Sequence, residues 1–107
     1  MVQRLAIVGT GLIGASVGLA ARAAGVGEVR GWDVDAEALS VAAEREAVEP
    51  AASLAEAVDG AELAVVAAPV AQLPVEVANV LGASGTGTTV TDVGSTKGPV
   101  SRAITDA

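Results

Sequence analysis

Four apolar residues, Leu5-Ala6-Ile7-Val8, run straight into Gly9-Thr10-Gly11-Leu12-Ile13-Gly14, and helix formers continue from Leu12 to Ala24. No other feature restricts the fold of this chain as much. A short apolar run closed by glycine reads as a strand buried on both faces. The pattern G-x-G-x-x-G directly behind it reads as a turn into a helix. In that setting Gly9 permits the tight turn, Gly11 lets the backbone approach a diphosphate, and Gly14 lets the helix lie against the first strand. The amides of Leu12 and Ile13 then face phosphates, with the positive end of the helix dipole behind them. Glycine-rich hexamers are common, and an ordinary strand-to-helix turn is the alternative.

A dinucleotide site of this kind needs an acid at the end of the second strand, about 20 residues further on. Val29-Arg30-Gly31-Trp32-Asp33 reads as that strand, and Asp33 lies nineteen residues after Gly14. Its carboxylate accepts from the adenosine ribose hydroxyls, each charge-assisted bond being worth roughly 1.5–3 kcal/mol. A 2′-phosphate meets like charge there, and neither Val34 nor Asp35 supplies the arginine that receives it. The expected cofactor is therefore NAD and not NADP. A turn-forming aspartate is the other reading of Asp33. Trp32 beside it is expected only to pack in the core.

The remaining chain repeats the alternation of strand and helix. Gly25 is placed to close the first helix. Asp35 caps a helix expected over Ala36–Ala47, with Leu39 and Ala43 toward the sheet and Glu37, Glu44 and Arg45 toward water. Pro50 interrupts the pattern, and Ser53–Val58 reads as a short helix ending at Gly60. Leu63–Ala67 is the clearest buried strand, stopped by Pro69. Pro74 opens a helix to about Leu81, its fixed φ suiting a first turn. Gly82–Gly87 is expected as a loop, Thr89–Val93 as a strand and Pro99–Thr105 as the start of a helix.

This alternation predicts the α/β class: a Rossmann-like, doubly wound parallel sheet with helices on both faces and right-handed crossovers. The 107 residues suffice for one domain, spanning 1–107. The chain is expected to be truncated within or before the second nucleotide-binding half, as a fragment of a longer protein.

Hydrophobic residues make up 51% and charged residues 18%, a balance that builds a core. With one Trp and no Phe or Tyr, that core must consist of small and β-branched side chains. Thirteen acidic residues against six basic give a net charge of −7, which repels nucleic acid and suits an anionic membrane poorly. No apolar run approaches the roughly 18 residues of a membrane span, and the start carries no signal-peptide plan. A soluble, cytoplasmic domain is expected. Cysteine and histidine are both absent, so thiolate metal sites are excluded and any imidazole must come from outside the chain.

Ligands of open parallel sheets bind beyond the carboxyl ends of the strands. Ala67-Ala68-Pro69-Val70 brings backbone groups and a small apolar surface past the nicotinamide half of the cofactor; Pro69 as a plain strand stop is the alternative. Thr91-Asp92-Val93-Gly94-Ser95-Thr96-Lys97-Gly98 offers hydroxyl, amide and cation donors at the mouth of a buried strand. A hydrophilic connection with Ser95 or Thr96 as helix cap is its alternative.

With these segments placed, the sequence resembles the N-terminal domain of the prephenate dehydrogenases, a family with arogenate-using relatives. The resemblance rests on Gly9-Thr10-Gly11-Leu12-Ile13-Gly14-Ala15-Ser16, on Ala68-Pro69-Val70, and above all on Thr91-Asp92-Val93-Gly94-Ser95-Thr96-Lys97, in order and spacing. It implies oxidative decarboxylation of prephenate to 4-hydroxyphenylpyruvate in tyrosine biosynthesis, with the ring C4 hydride passing to NAD. It further implies that Ser95 assists a catalytic histidine at the C4 hydroxyl. That histidine, the substrate-binding arginine and a helical domain through which the family forms homodimers would all lie past Ala107. The chain alone is then expected to bind NAD without turning over prephenate. Two other readings stay open: a different dehydrogenase of the β-hydroxyacid type, and a non-catalytic NAD-binding module.

Overall fold

The computed structural model describes residues 2–67, 73–84 and 87–92. Its elements in chain order are β1 (Arg4–Val8), α1 (Leu12–Ala23), β2 (Glu28–Trp32), α2 (Ala36–Glu44), β3 (Glu49–Pro50), α3 (Leu54–Val58), β4 (Leu63–Val66), α4 (Leu73–Ala83) and β5 (Thr89–Asp92). The strands form one sheet in the order β3-β2-β1-β4-β5, and every neighbouring pair is parallel.

Apolar runs in β1 and β4 stand at the centre of this sheet because both of their faces are covered. Side chains alternate across a strand, so Leu5 and Ile7 join Ala15, Val29, Ala42, Ala47, Val48 and Val65 on the face of α1 and α2. Ala6 and Val8 join Val58, Val66, Val77 and Val80 on the face of α3 and α4. Trp32 is only partly buried, packing against the second of these clusters. The small residues predicted to fill the core do fill it.

The strand order carries the functional consequence. From β1 the chain crosses to β2 and β3 on one side, then returns to lay β4 and β5 on the other. The order therefore reverses between β1 and β4, the place where a crevice opens at the carboxyl edge of such a sheet. Val8, Trp32 and Val66 stand in register there, with Asp92 beside Val66.

Three boundaries differ from expectation. Helix α2 ends at Glu44 and not at Ala47: Glu46 takes φ 60°, its amide bonds to the Ala43 carbonyl (3.0 Å), and the Ala47 amide bonds to the Ala42 carbonyl (3.0 Å). This six-to-one closure turns Ala47 and Val48 into the core, where both are buried. Pro50, read as a break, forms with Glu49 a short edge strand beside Arg30 and Gly31. An edge strand leaves room for a residue without an amide proton. Helix α4 runs through Gly82 to Ala83, closed by the Ser84 amide and hydroxyl on the Val80 carbonyl (2.9 and 2.6 Å). The helix expected over Pro99–Thr105 lies outside the described residues.

Candidate functional site

The connection from β1 to α1 occupies the crevice edge. Gly9 has φ 93°, a conformation that favours glycine, and its amide bonds to the Trp32 carbonyl at 2.8 Å. Gly14 is required for a different reason: a Cβ there would stand 1.9 Å from the Gly9 carbonyl oxygen and 3.2 Å from the Ile7 side chain. Helix α1 thus lies directly on the turn that launches it. Gly18, one helical turn further, meets the Ala47 carbonyl in the same way, at 2.3 Å.

Gly11 behaves oppositely. A Cβ on it would meet nothing within 4 Å, so the fold itself does not need glycine there. As N-cap of α1 it provides no side-chain cap, and the first turn of the helix contains no acidic residue. The leading amides of a helix have no intrahelical partner, so those of Gly11, Leu12 and Ile13 are left as donors at the positive end of the dipole. Leu12 is 80% exposed and Ile13 43%. An open backbone, uncapped and free of acid, fits a diphosphate.

Asp33 lies just past β2 and joins two loops. Its Oδ2 accepts from the Thr10 amide (2.6 Å) and the Thr10 hydroxyl (3.3 Å), and its Oδ1 accepts from the Asp35 amide (2.8 Å). The side chain is half-buried, while Val34 beside it is 67% exposed. Asp35 turns to α2, accepting from the Glu37 and Ala38 amides (3.0 and 3.4 Å). Both readings of Asp33 therefore meet in one group, since a turn-forming carboxylate keeps acceptor capacity for a sugar hydroxyl.

Gly9, Gly11, Leu12, Ile13, Gly14 and Asp33 are brought together at one edge. Ala68, Pro69 and Val70 lie outside the described residues, as does Ser95 with the rest of its motif. Thr10 was missed from sequence, where it is only a variable position in the glycine pattern. A hydroxyl between two glycines, with an acid closing the next strand, was the available signal. An open groove of about 480 Å³ runs between α1 and α2, lined by Thr10, Gly11 and Leu12 at the head of α1 and, along α2, by Asp35 and Glu37 at one end and Arg45 at the other, with Ala38 and Val41 between. No group of metal-ligating side chains occurs among the described residues, and no described helix is long and apolar enough to cross a membrane.

The family model for the prephenate dehydrogenase nucleotide-binding domain matches residues 17–107, a span that begins just after the glycine loop. Among solved structures, prephenate dehydrogenase from Aquifex aeolicus, in complex with hydroxyphenyl propionate and NAD+, is 25% identical with a TM-score of 0.83. The match covers 97% of this chain and 37% of that one. A 3-hydroxyisobutyrate dehydrogenase from Mycobacterium tuberculosis, with L-serine, is 26% identical over 99% of this chain and 36% of its own, with a TM-score of 0.84. Synechocystis arogenate dehydrogenase shares the fold at 24% identity and TM-score 0.83, covering 96% of this chain and 37% of its own. This chain thus spans well under half the length of these relatives. No curated protein matches it in sequence.

Proposed function

Because the chain belongs to the family of prephenate dehydrogenase nucleotide-binding domains, we propose that it holds NAD for the oxidative decarboxylation of prephenate or arogenate. The observation that carries this reading is the open, uncapped head of α1 beside the Asp33 carboxylate. Gly9 and Gly14 shape the turn, while the amides at Gly11, Leu12 and Ile13 receive the diphosphate. Asp33 accepts from the adenosine ribose and repels a 2′-phosphate. Ala68, Pro69 and Val70 border the nicotinamide half.

NAD, when bound, supplies the acceptor for the hydride that leaves ring C4. As that hydride leaves, the C4 hydroxyl gives up its proton and becomes a carbonyl. The electron pair released with CO₂ then makes the ring aromatic, and its oxygen regains a proton. Ser95 is assigned to hydrogen-bond the C4 oxygen and so support the base that moves this proton. The chain has no histidine, so an imidazole base must be supplied from outside it. The same reading makes the whole protein a cytoplasmic homodimer.

Calorimetric titration tests the cofactor assignment: NAD binds, NADP binds more weakly, and Asp33→Ala removes the difference. Equal affinity for both dinucleotides in the unaltered chain overturns the role of Asp33. Adding prephenate and NAD to this chain alone should give no NADH, and steady NADH production would show that the base lies within it. A 3-hydroxy acid dehydrogenase is the second reading, favoured by the 3-hydroxyisobutyrate dehydrogenase similarity. Comparing prephenate, arogenate and a 3-hydroxy acid as substrates of the whole protein separates the two.

A further inference from the structure

Thr10 is the buried polar side chain of the described residues, only 2% exposed. Its surroundings explain why a hydroxyl is tolerated there. The Oγ1 atom lies 3.3 Å from Asp33 Oδ2, and the amide of the same residue lies 2.6 Å from the same oxygen. No described buried side-chain polar atom is left without a partner. A carboxylate has about four acceptor positions, two on each oxygen. Two donors from Thr10 fill Oδ2, and the Asp35 amide takes one position on Oδ1. What remains open is one position on Oδ1, on a carboxylate that can no longer rotate freely.

We propose that Thr10 is a positioning residue for cofactor choice: its buried hydroxyl, with its own amide, fixes the Asp33 carboxylate so that Oδ1 meets one ribose hydroxyl and a 2′-phosphate is turned away. The inference rests on the role of Asp33 proposed above. A fixed acceptor binds more tightly because its rotation is already restricted before the ligand arrives. It also discriminates more sharply, since a mobile carboxylate can swing away from an approaching phosphate. In this role Thr10 acts on the cofactor through Asp33, although it also lines the groove between α1 and α2.

Thr10→Val tests this, because valine keeps the branched shape and loses only the hydroxyl. One net hydrogen bond corresponds to a factor of about five in an equilibrium constant. Thr10→Val should therefore weaken NAD about fivefold while narrowing its preference over NADP, and Thr10→Ser should restore both. In an Asp33→Ala background, Thr10→Val should have no further effect on NAD. Calorimetry gives the affinities, and emission of the single tryptophan, Trp32, gives an independent signal next to Asp33. Equal weakening of NAD and NADP, or an effect that persists without Asp33, would show a merely structural residue and overturn the inference. NAD binding unchanged by Thr10→Val overturns it while leaving the role of Asp33 intact. Failure of the unaltered chain to bind either dinucleotide overturns both.

Discussion

Helices α1 and α2 both start at the carboxyl edge of adjacent parallel strands, yet their first turns are finished in opposite ways. Asp35 closes α2 with its own carboxylate on two amides, and Glu37 adds a negative charge to the first turn. Helix α1 starts at Gly11 with neither device. The orphan donors of a helix head need an acceptor, and their positive potential favours a negative one. At α2 the chain supplies that acceptor itself. At α1 it supplies none, and Asp33 stands between the two heads, bonded to Thr10 on one side and Asp35 on the other.

The harshest way to break this contrast is to push α1 off its strand. Gly14→Ala places a methyl 1.9 Å from the Gly9 carbonyl oxygen, which backbone cannot yield without distorting the turn. Stability should fall by about 3 kcal/mol, read from chemical denaturation, and dinucleotide binding should be lost with it. Gly11→Ala sharpens the contrast instead. Its Cβ meets nothing within 4 Å, so melting should stay near that of the unaltered chain while NAD affinity falls about tenfold, or 1.4 kcal/mol. Equal loss of stability in the two variants would mean that Gly11 serves the fold and not the ligand.

Asp35→Ala is the counterpart at α2. Loss of a side-chain cap should cost about 1 kcal/mol of stability, with NAD affinity held within about twofold because the Asp35 amide to Asp33 remains. A large loss of affinity would mean that the two heads are not independent. The gentlest effect belongs to a carboxylate at the opposite edge of the sheet. Glu62 accepts from the Gln3 and Arg4 amides (2.7 and 3.1 Å), and these bonds hold it below the ordinary glutamate value of 4.5. A lowered value in the folded state gives stabilisation that is complete above the unfolded value and lost as pH falls through the folded one. The melting difference between the unaltered chain and Glu62→Gln should therefore be seen at neutral pH and shrink below about pH 4.5.

The legible parts of the sequence were those where local chemistry and tertiary demand agree. Leu5–Val8, the glycine pattern, Asp35 as cap and Leu63–Val66 each specify an element through periodicity or a required residue type. Pro50 misled because proline breaks most strands, and only the free edge beside Gly31 makes it acceptable. The end of α2 misled because alanine continues a helix readily. What ends it is the pull of Ala47 and Val48 into the core beside Gly18, at the cost of a left-handed Glu46.

By itself the chain's order of residues determined an alternating α/β fold, a glycine turn suited to phosphate, and an acid at the right distance from it. These follow from rules that act over a few residues: side-chain alternation, glycine's missing Cβ and the unpaired amides of a helix head. Only the tertiary structure decided that Thr10 holds Asp33, that Gly11 faces open space while Gly14 does not, and that β4 lies next to β1. Those facts depend on which distant segments meet, and the strand order 3-2-1-4-5 sets that by folding both halves of the sheet outward from β1.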